Sequence, residues 1–271
     1  MSAGAVAGKM ERVRRALART GGLLVAFSGG VDSAVLAKLA SEALGNRAVA
    51  VTVSSQTFTA VELREARRLA RLIGIRHIVV EHDELADEAF CQNPPDRCYL
   101  CRRGLAGKLK ELAGRLGIGA IADGANFSDI SEHRPGIRAA TEAGVLHPLL
   151  ENGVTKAEVR RMARALGLPV ANRPSSACLS SRIPYGERIT EEKLERIERA
   201  EAYLRSLGFG QARVRHHGNI ARIEVERSAV PRLARKGVME KVARKLRKLG
   251  FTYVTADLEG YRSGSLDEAL K

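Results

Sequence analysis

Tryptophan is absent from this chain, and aromatic residues make up only 4% of it. So little aromatic surface excludes the stacking platforms on which readers of single-stranded RNA lay out bases. Cysteine is scarce as well: Cys91, Cys98, Cys101 and Cys178 are too few and too unevenly placed to be the disulfide framework of a secreted protein. They read as free thiols, metal ligands or catalysts in a reducing compartment. No apolar run is long enough for a membrane span, and residues 1–20 mix small apolar residues with Arg and Lys, unlike a signal peptide. Pro and Gly do not cluster as in a disordered tract. These absences predict a folded, soluble, cytoplasmic protein with no membrane partner. Acidic residues are the last deficit, 31 Asp and Glu against 45 Lys and Arg, for a net charge of +14. That balance favours anionic partners such as nucleotides, nucleic acid or acidic small molecules. Part of the excess lies in residues 232–248, whose pattern is that of a helix with a basic face; its plainer reading is solvated surface, so nucleic acid is not the expected partner.

What is present is a regular alternation. After an amphipathic N-terminal helix, apolar runs at 23–27, 48–53 and 77–80 alternate with helical patterns at 34–44 and 60–73. Strands that alternate with helices imply βαβ units and a parallel sheet, an α/β fold. A helix over 105–116 leads to a short strand, 120–122, and the loop Asp123-Gly124-Ala125-Asn126. Thr155 and Glu158 form a capping box at the start of another helix, which Gly167 and Pro169 close. From there to Thr190 the chain is polar and aperiodic, and a loop of that length is usually functional. Thr190 N-caps a helix to residue 207, and short strands follow at 212–215 and 221–225. The expectation is two domains, 1–187 and a small α+β domain, 188–271.

The first strand runs directly into Ser28-Gly29-Gly30-Val31-Asp32-Ser33, and a helix follows at once. Gly29 and Gly30 permit a positive φ and close approach to a ligand, while the free N–H groups and dipole of the helix start attract phosphate. Ser28 and Ser33 add hydroxyls. Asp32 would repel phosphate unless a cation lies between them, which argues for Mg²⁺. A tight turn that needs glycine only for steric reasons is the plainer reading, but it leaves the six-residue pattern unexplained. That pattern resembles the PP-loop of the N-type ATP pyrophosphatases, and it lacks the Gly-Lys-Ser/Thr ending of a Walker A loop. The resemblance implies an adenine nucleotide alpha hydrolase-like sheet and cleavage of ATP between its α- and β-phosphates. It also implies that Val53 and Ser54 border the adenine and that Gly124 and Asn126 sit across the nucleotide.

Cys98-Tyr99-Leu100-Cys101 is a C-x-x-C, which by itself reads as a zinc half-site, a redox pair or an accident. No second C-x-x-C and no spaced histidine pair completes a zinc site. Three thiolates, Cys98, Cys101 and Cys178, suit a [4Fe–4S] cluster with one iron open to an exogenous ligand. Cys178 lies in Pro174-Ser175-Ser176-Ala177-Cys178-Leu179-Ser180-Ser181-Arg182-Ile183-Pro184-Tyr185-Gly186. This segment, the PP-loop, and Arg134-Pro135-Gly136-Ile137-Arg138-Ala139-Ala140 together resemble the LarE family of sulfur transferases, over nearly the whole chain.

That resemblance implies an ATP-dependent sulfurtransferase of nickel-pincer cofactor biosynthesis. ATP adenylates a carboxylate of pyridinium-3,5-biscarboxylic acid mononucleotide, and sulfur then displaces AMP to leave a thiocarboxylate. In some members the sulfur is that of the cysteine matching Cys178; in others three cysteines hold a [4Fe–4S] cluster whose extra sulfide is the donor. This chain has all three and looks like the second type, so sulfide or another sulfur donor is an implied partner. Cys91 has no place in that pattern and reads as a buried thiol. Arg213 and Arg215, at i and i+2 on one strand face, match an arginine pair that binds the substrate phosphate; a charged edge strand is the plainer reading. Glu201 and Glu224 match residues that bind a divalent cation near it, while Ala229-Val230-Pro231-Arg232 stands where another acidic residue is expected. Arg182 is a candidate to orient the adenylate or the sulfide. Related members assemble as hexamers, which implies a homo-oligomer. The competing readings are a PP-loop tRNA 2-thiolation enzyme, an ammonia-transferring NAD or GMP synthetase, and a noncatalytic RNA-binding protein with a structural metal.

Overall fold

The computed structural model describes residues 3–131, 135–173, 178–262 and 265. Of the motifs above, Arg134 and Pro174, Ser175, Ser176 and Ala177 lie outside these residues. Four parallel strands, β1 (Leu23–Ala26), β2 (Ala48–Ser54), β3 (Arg76–Glu81) and β4 (Ala120–Ala122), form one sheet in the order β3-β2-β1-β4. The apolar runs form strands because both faces are covered. Leu23, Val25, Ala48 and Ala50 pack into one core with the helices Ala3–Ala18, Val31–Leu44, Ala60–Ile73 and Lys156–Ala165. Leu24, Val49 and Val51 point into a second core with Leu109, Leu112 and Ala113 of the helix Arg97–Leu116. This two-sided burial of a parallel sheet is the α/β architecture expected. The N-terminal helix shows its stripe directly, with Val6, Met10, Val13 and Leu17 buried at spacings of three and four.

A second sheet has the order β5-β6-β7, from β5 (Ala212–His217), β6 (Ile220–Val225) and β7 (Tyr253–Ala256), with β5-β6 antiparallel and β6-β7 parallel. The β5-β6 hairpin closes on Gly218-Asn219, where Gly218 adopts φ 55°, a conformation that suits a two-residue turn and disfavours a side chain. The helices Glu191–Ser206 and Lys236–Lys248 contribute Leu204, Val242 and Leu246 to a core shared with Val214, Ile223 and Phe251. Thr190 caps the first of them, accepting from the Lys193 amide. In the second, Val242 and Leu246 are buried while Lys241, Arg244, Arg247 and Lys248 are exposed, the solvated basic face expected.

The chain divides into two compact units, Met1–Glu84 with Asp96–Ser176, and Leu85–Pro95 with Ala177–Lys271. The division expected between residues 187 and 188 is therefore not where the packing changes. The cause is Asn93, fully buried at φ 54°, whose Nδ2 lies 3.2, 2.7 and 3.1 Å from the carbonyl oxygens of Ile183, Pro184 and Glu187. The Gly186 amide donates to Asn93 O and the Ile189 amide to Cys91 O, at 2.9 and 2.8 Å. These bonds tie residues 85–95 to the segment that carries Cys178. Cys91 is buried within this clip, as expected, and donates its thiol to Leu85 O at 3.3 Å.

Candidate functional site

The loop after β1 is shaped by contacts rather than by flexibility. Gly29 adopts φ 73°, and a Cβ there would also lie 3.1 Å from the Ala66 backbone. Gly30 is the N-cap of the helix Val31–Leu44 with no side-chain cap bond. The helices that begin after Thr59 and Thr155, by contrast, both carry complete capping boxes. An uncapped helix start leaves its first N–H groups without a side-chain partner, the feature on which the expected anion site rests. Ser28 and Ser33 stand with their hydroxyls 3.3 Å apart, and Ser33 Oγ donates to Gly30 O at 3.2 Å. The strand before the loop is pinned from below: the Thr52 hydroxyl donates to Phe27 O at 2.6 Å, and His77 Nε2 lies 2.8 Å from the same hydroxyl. Because the hydroxyl proton is already committed, His77 is the donor in that contact. Burial, with Arg67 nearby, depresses the His77 pKa and favours its neutral form.

The loop 123–126 closes against the start of this helix. A Cβ on Gly124 would meet Ser33 N at 2.8 Å and the Asp32 carbonyl carbon at 3.0 Å, so only glycine fits here. Asn126 Nδ2 donates to Asp32 Oδ1 at 3.3 Å and to Asp129 Oδ2 at 2.8 Å. Asp123 accepts from His147 Nδ1 at 2.7 Å, from the Ala125 amide at 3.0 Å, and faces Arg102. Burial alone would raise the Asp123 pKa, but these partners hold it below the ordinary carboxylate value. Lys156 forms an ion pair with Asp32. Ser28, Gly29, Gly30, Asp32, Ser33, Gly124 and Asn126 are thus brought together. Ser54 ends β2, where its carbonyl accepts from the His82 amide at 2.9 Å. The chemistry of this donor set fits a Mg²⁺ ion: one carboxylate at the head of a phosphate-binding helix leaves the remaining positions for phosphate oxygens and water.

Cys98 and Cys101 lie in the first turns of the helix Arg97–Leu116, which starts eight residues before the expected 105. Their i, i+3 spacing puts both thiols on one helix face, Cys98 exposed and Cys101 half-buried. Cys101 donates its thiol to Glu84 Oε1 at 2.8 Å, and the other oxygen of this buried carboxylate accepts from Ser55 Oγ at 2.8 Å and Thr57 Oγ1 at 2.5 Å. Among the described residues no three His, Cys, Asp or Glu side chains are gathered at metal-binding distance. The spacing and exposure of the C-x-x-C fit two ligands of one cluster.

Cys178 belongs to the other compact unit. It is exposed, N-caps the 3₁₀ turn Leu179–Arg182, and has its Sγ 2.9 Å from Ser180 Oγ. Arg182 donates to the carbonyl of Cys178 at 3.0 Å and makes a two-pronged bond to Glu201, Nε to Oε1 at 2.8 Å and Nη2 to Oε2 at 3.2 Å. Glu201 also accepts from the Val214 amide and from Arg205. Arg215 donates to Glu224 at 2.8 Å and to Ser181 O at 2.7 Å, and Arg222 and Ser265 complete the Glu224 carboxylate at 3.1 and 3.2 Å. Arg213 is paired across the hairpin with Glu224 in register and stands over the Tyr261 ring. Burial lowers the Arg213 pKa, and the neighbouring charge of Arg182 adds to that. Three arginines are therefore concentrated beside the Cys178 turn. The Glu201 and Glu224 carboxylates, expected to bind a divalent cation, have their oxygens engaged by arginine and other donors, an arrangement that does not fit one. Burial would raise the Glu201 pKa, but Arg182 holds it below the ordinary value. Exchange of Glu201 for Gln is expected to lower folding stability by about 3 kcal/mol, because Arg182 would be left buried without its countercharge; urea denaturation measures it.

Lys156, Glu84, Asn93 and His147 are residues that sequence reasoning did not single out. A Lys directly after a capping Thr is the one local signal among them, since a cation at a helix N-terminus opposes the dipole.

A family model described as NAD synthase matches residues 9–97. The chain is 44% identical to an uncharacterized protein of Synechocystis sp. over 262 residues, 97% of this chain and 98% of that one. It is 38% identical to the pyridinium-3,5-bisthiocarboxylic acid mononucleotide synthase of Lactiplantibacillus plantarum over 247 residues, 91% and 89% of the two chains. A tRNA-specific 2-thiouridylase of Zymomonas mobilis is 29% identical over 210 residues, which cover 63% of this chain and 56% of that enzyme.

Proposed function

Because this chain belongs to the LarE family of PP-loop sulfur transferases, we propose that it adenylates a carboxylate of pyridinium-3,5-biscarboxylic acid mononucleotide with ATP and converts it to a thiocarboxylate. The observation that carries the reading is the uncapped, glycine-shaped helix start at Gly30 with Asp32 in its first turn. A carboxylate is a poor electrophile at neutral pH. Adenylation supplies a leaving group and an acyl carbon that a soft sulfur nucleophile attacks, and each step requires phosphate charge to be neutralised. The loop amides, Ser28 and Ser33 would hold the phosphates, Asp32 a bridging Mg²⁺, and Gly124 and Asn126 would close over the nucleotide, with Ser54 at the adenine.

In the second unit Arg213 and Arg215 would bind the phosphate of the substrate. Glu201 and Glu224 fix the arginines in place, and Arg182, anchored by Glu201, fixes the Cys178 carbonyl. Cys98, Cys101 and Cys178 would ligate a [4Fe–4S] cluster. Bound there, the cluster would supply the sulfide. Ligation by Cys101 requires its thiol proton to leave, and the thiol is already donated to Glu84. Sulfide or a sulfur donor would then be a partner, and assembly as a homo-oligomer, a hexamer as in the family, belongs to the same proposal.

The test is pyrophosphate release from ATP in the presence of the pyridinium biscarboxylate mononucleotide or of unmodified tRNA. Release that depends on the pyridinium nucleotide supports the reading. Release that depends on tRNA alone overturns it in favour of base thiolation.

A further inference from the structure

The helix Pro135–Glu142 carries the described part of the Arg134–Ala140 motif, to which the reaction steps above give no role. It is fixed to the cysteine-bearing helix Arg97–Leu116: Ala139 and Ala140 are buried, a Cβ on Gly136 would lie 3.3 Å from Cys98 O, and Glu142 accepts from the Tyr99 hydroxyl at 2.5 Å. A hydrogen-bonded series begins at Thr141, directly after the motif. Its Oγ1 stands 2.9 Å from His147 Nε2 and 3.0 Å from Ile137 O, and His147 Nδ1 is 2.7 Å from Asp123 Oδ1. The partners of Asp123 hold its pKa down, so the carboxylate is the acceptor and Nδ1 the donor. The same Oδ1 takes the Ala125 amide at 3.0 Å, a turn that lays Gly124 on the helix start and brings Asn126 to Asp32. Its other oxygen faces Arg102 of the cysteine-bearing helix at 3.9 Å.

His147 is itself clamped at the end of the sheet. Leu146 pairs with Ala122 of β4 as an isolated parallel bridge, its amide donates to Ile121 O at 2.8 Å, and the Asp123 amide donates to Leu146 O at 3.0 Å. The His147 amide meets Glu151 Oε1 at 2.9 Å. Asp123 and His147 are 6% and 5% exposed. A bonded polar network at such depth rigidifies its surroundings, and apolar residues of like volume would hold the same core as well. Stability alone therefore does not account for a polar series here. We propose that His147 is a positioning residue of the adenylation step, a role that rests on the ATP-dependent reading above. Supported by Thr141 on the motif helix, its ring holds Asp123 and thereby sets the loop 123–126 against the start of the helix Val31–Leu44, where the phosphates bind. The ring touches neither ATP nor the substrate and passes no proton to them. The motif helix serves as the rigid mount from which Thr141 braces the ring.

ATP–pyrophosphate exchange driven by the pyridinium substrate tests the role, at a temperature where urea titration shows each variant to be folded. His147→Leu should lower kcat on the order of 10²-fold with the KM for ATP nearly unchanged, the pattern of an interaction that counts only in the transition state. His147→Asn places an amide N–H where Nδ1 stands and should regain about tenfold, the worth of one hydrogen bond to a charged group. A residue that served folding alone would leave kcat per folded molecule at the native value in both variants. Native kcat in folded His147→Leu, or no regain in His147→Asn, overturns the role while the ATP-dependent reading stands. Should His147→Leu not fold, Thr141→Val, at an exposed position, decides the matter. It should lower kcat by about threefold, one neutral hydrogen bond, at an unchanged urea midpoint, and native kcat there overturns the role. A native protein that shows no exchange overturns the ATP-dependent reading itself.

Discussion

Replacing Cys178 with alanine is expected to reduce thiocarboxylate formation to the uncatalysed background, a loss of about 10⁴-fold or more, as for removal of a reacting group. ATP–pyrophosphate exchange driven by the pyridinium substrate should survive. The separation follows from chemistry, since adenylation forms the acyl-adenylate without a sulfur nucleophile. Cys178 N-caps the turn Leu179–Arg182. The side chain is exposed, and Arg182 holds the residue through its carbonyl, not its sulfur, so truncation leaves the turn its anchor. Mass spectrometry of the product and isotope exchange measure the two activities independently. Companion substitutions Cys98→Ala and Cys101→Ala decide where the sulfur originates. If both abolish iron binding and multiple turnover, all three thiols act through one cluster. If one turnover persists without iron, Cys178 itself surrenders its sulfur, and the native protein after turnover should weigh less by the elements of hydrogen sulfide. Loss of exchange together with sulfur transfer in Cys178→Ala would mean that the cysteine serves the adenylation site, contrary to the proposal.

Much of the nucleotide-binding half was legible because its signals are local. A strand, a glycine pair and a helix occur in one continuous stretch from Leu23 to Leu44, and burial on both faces of β1 and β2 leaves apolar runs that periodicity detects. The capping box at Thr155 was equally plain. The helix Arg97–Leu116 was read too short because Gly104 interrupts its pattern, and the turns before Gly104 bury only Arg97 and leave no apolar stripe. β7 was missed because Tyr253 and Thr255 are exposed and its pairing is with β6, some thirty residues back in the chain. No apolar alternation marks such an edge strand.

The site was legible in its residue types and less so in its partnerships. Glu201 and Glu224 were visible as acidic residues, but only three dimensions give them to Arg182 and Arg215. The same holds for Asn93, whose three carbonyl neighbours are about ninety residues distant. A polar side chain that satisfies distant backbone groups leaves no periodic trace, which is why the segment 85–95 was assigned by position in sequence rather than by the unit it packs with.

Gly124→Ala should cut adenylation on the order of 10²-fold, the cost of displacing reacting groups by about an ångström. The added methyl would stand 2.8 Å from Ser33 N, 3.0 Å from the Asp32 carbonyl carbon and 3.1 Å from Asp32 Cβ. Two of these three are backbone atoms in the first turn of a helix whose Ala34, Val35 and Leu36 are fully buried, so the helix cannot retreat. The loop 123–126 must move instead, taking Asn126 from Asp32 and disturbing the bond between Asp123 and His147. Overpacking of this kind also costs about 1–3 kcal/mol of folding stability, which urea denaturation measures separately from the loss of exchange. Gly119→Ala is the control, since a methyl there meets nothing within 4 Å, and it should leave exchange at the native rate. Equal exchange by Gly124→Ala and Gly119→Ala would mean that close packing of residues 123–126 on the helix start does not govern the phosphates. The anion site would then owe its geometry to Gly29 and Gly30 alone.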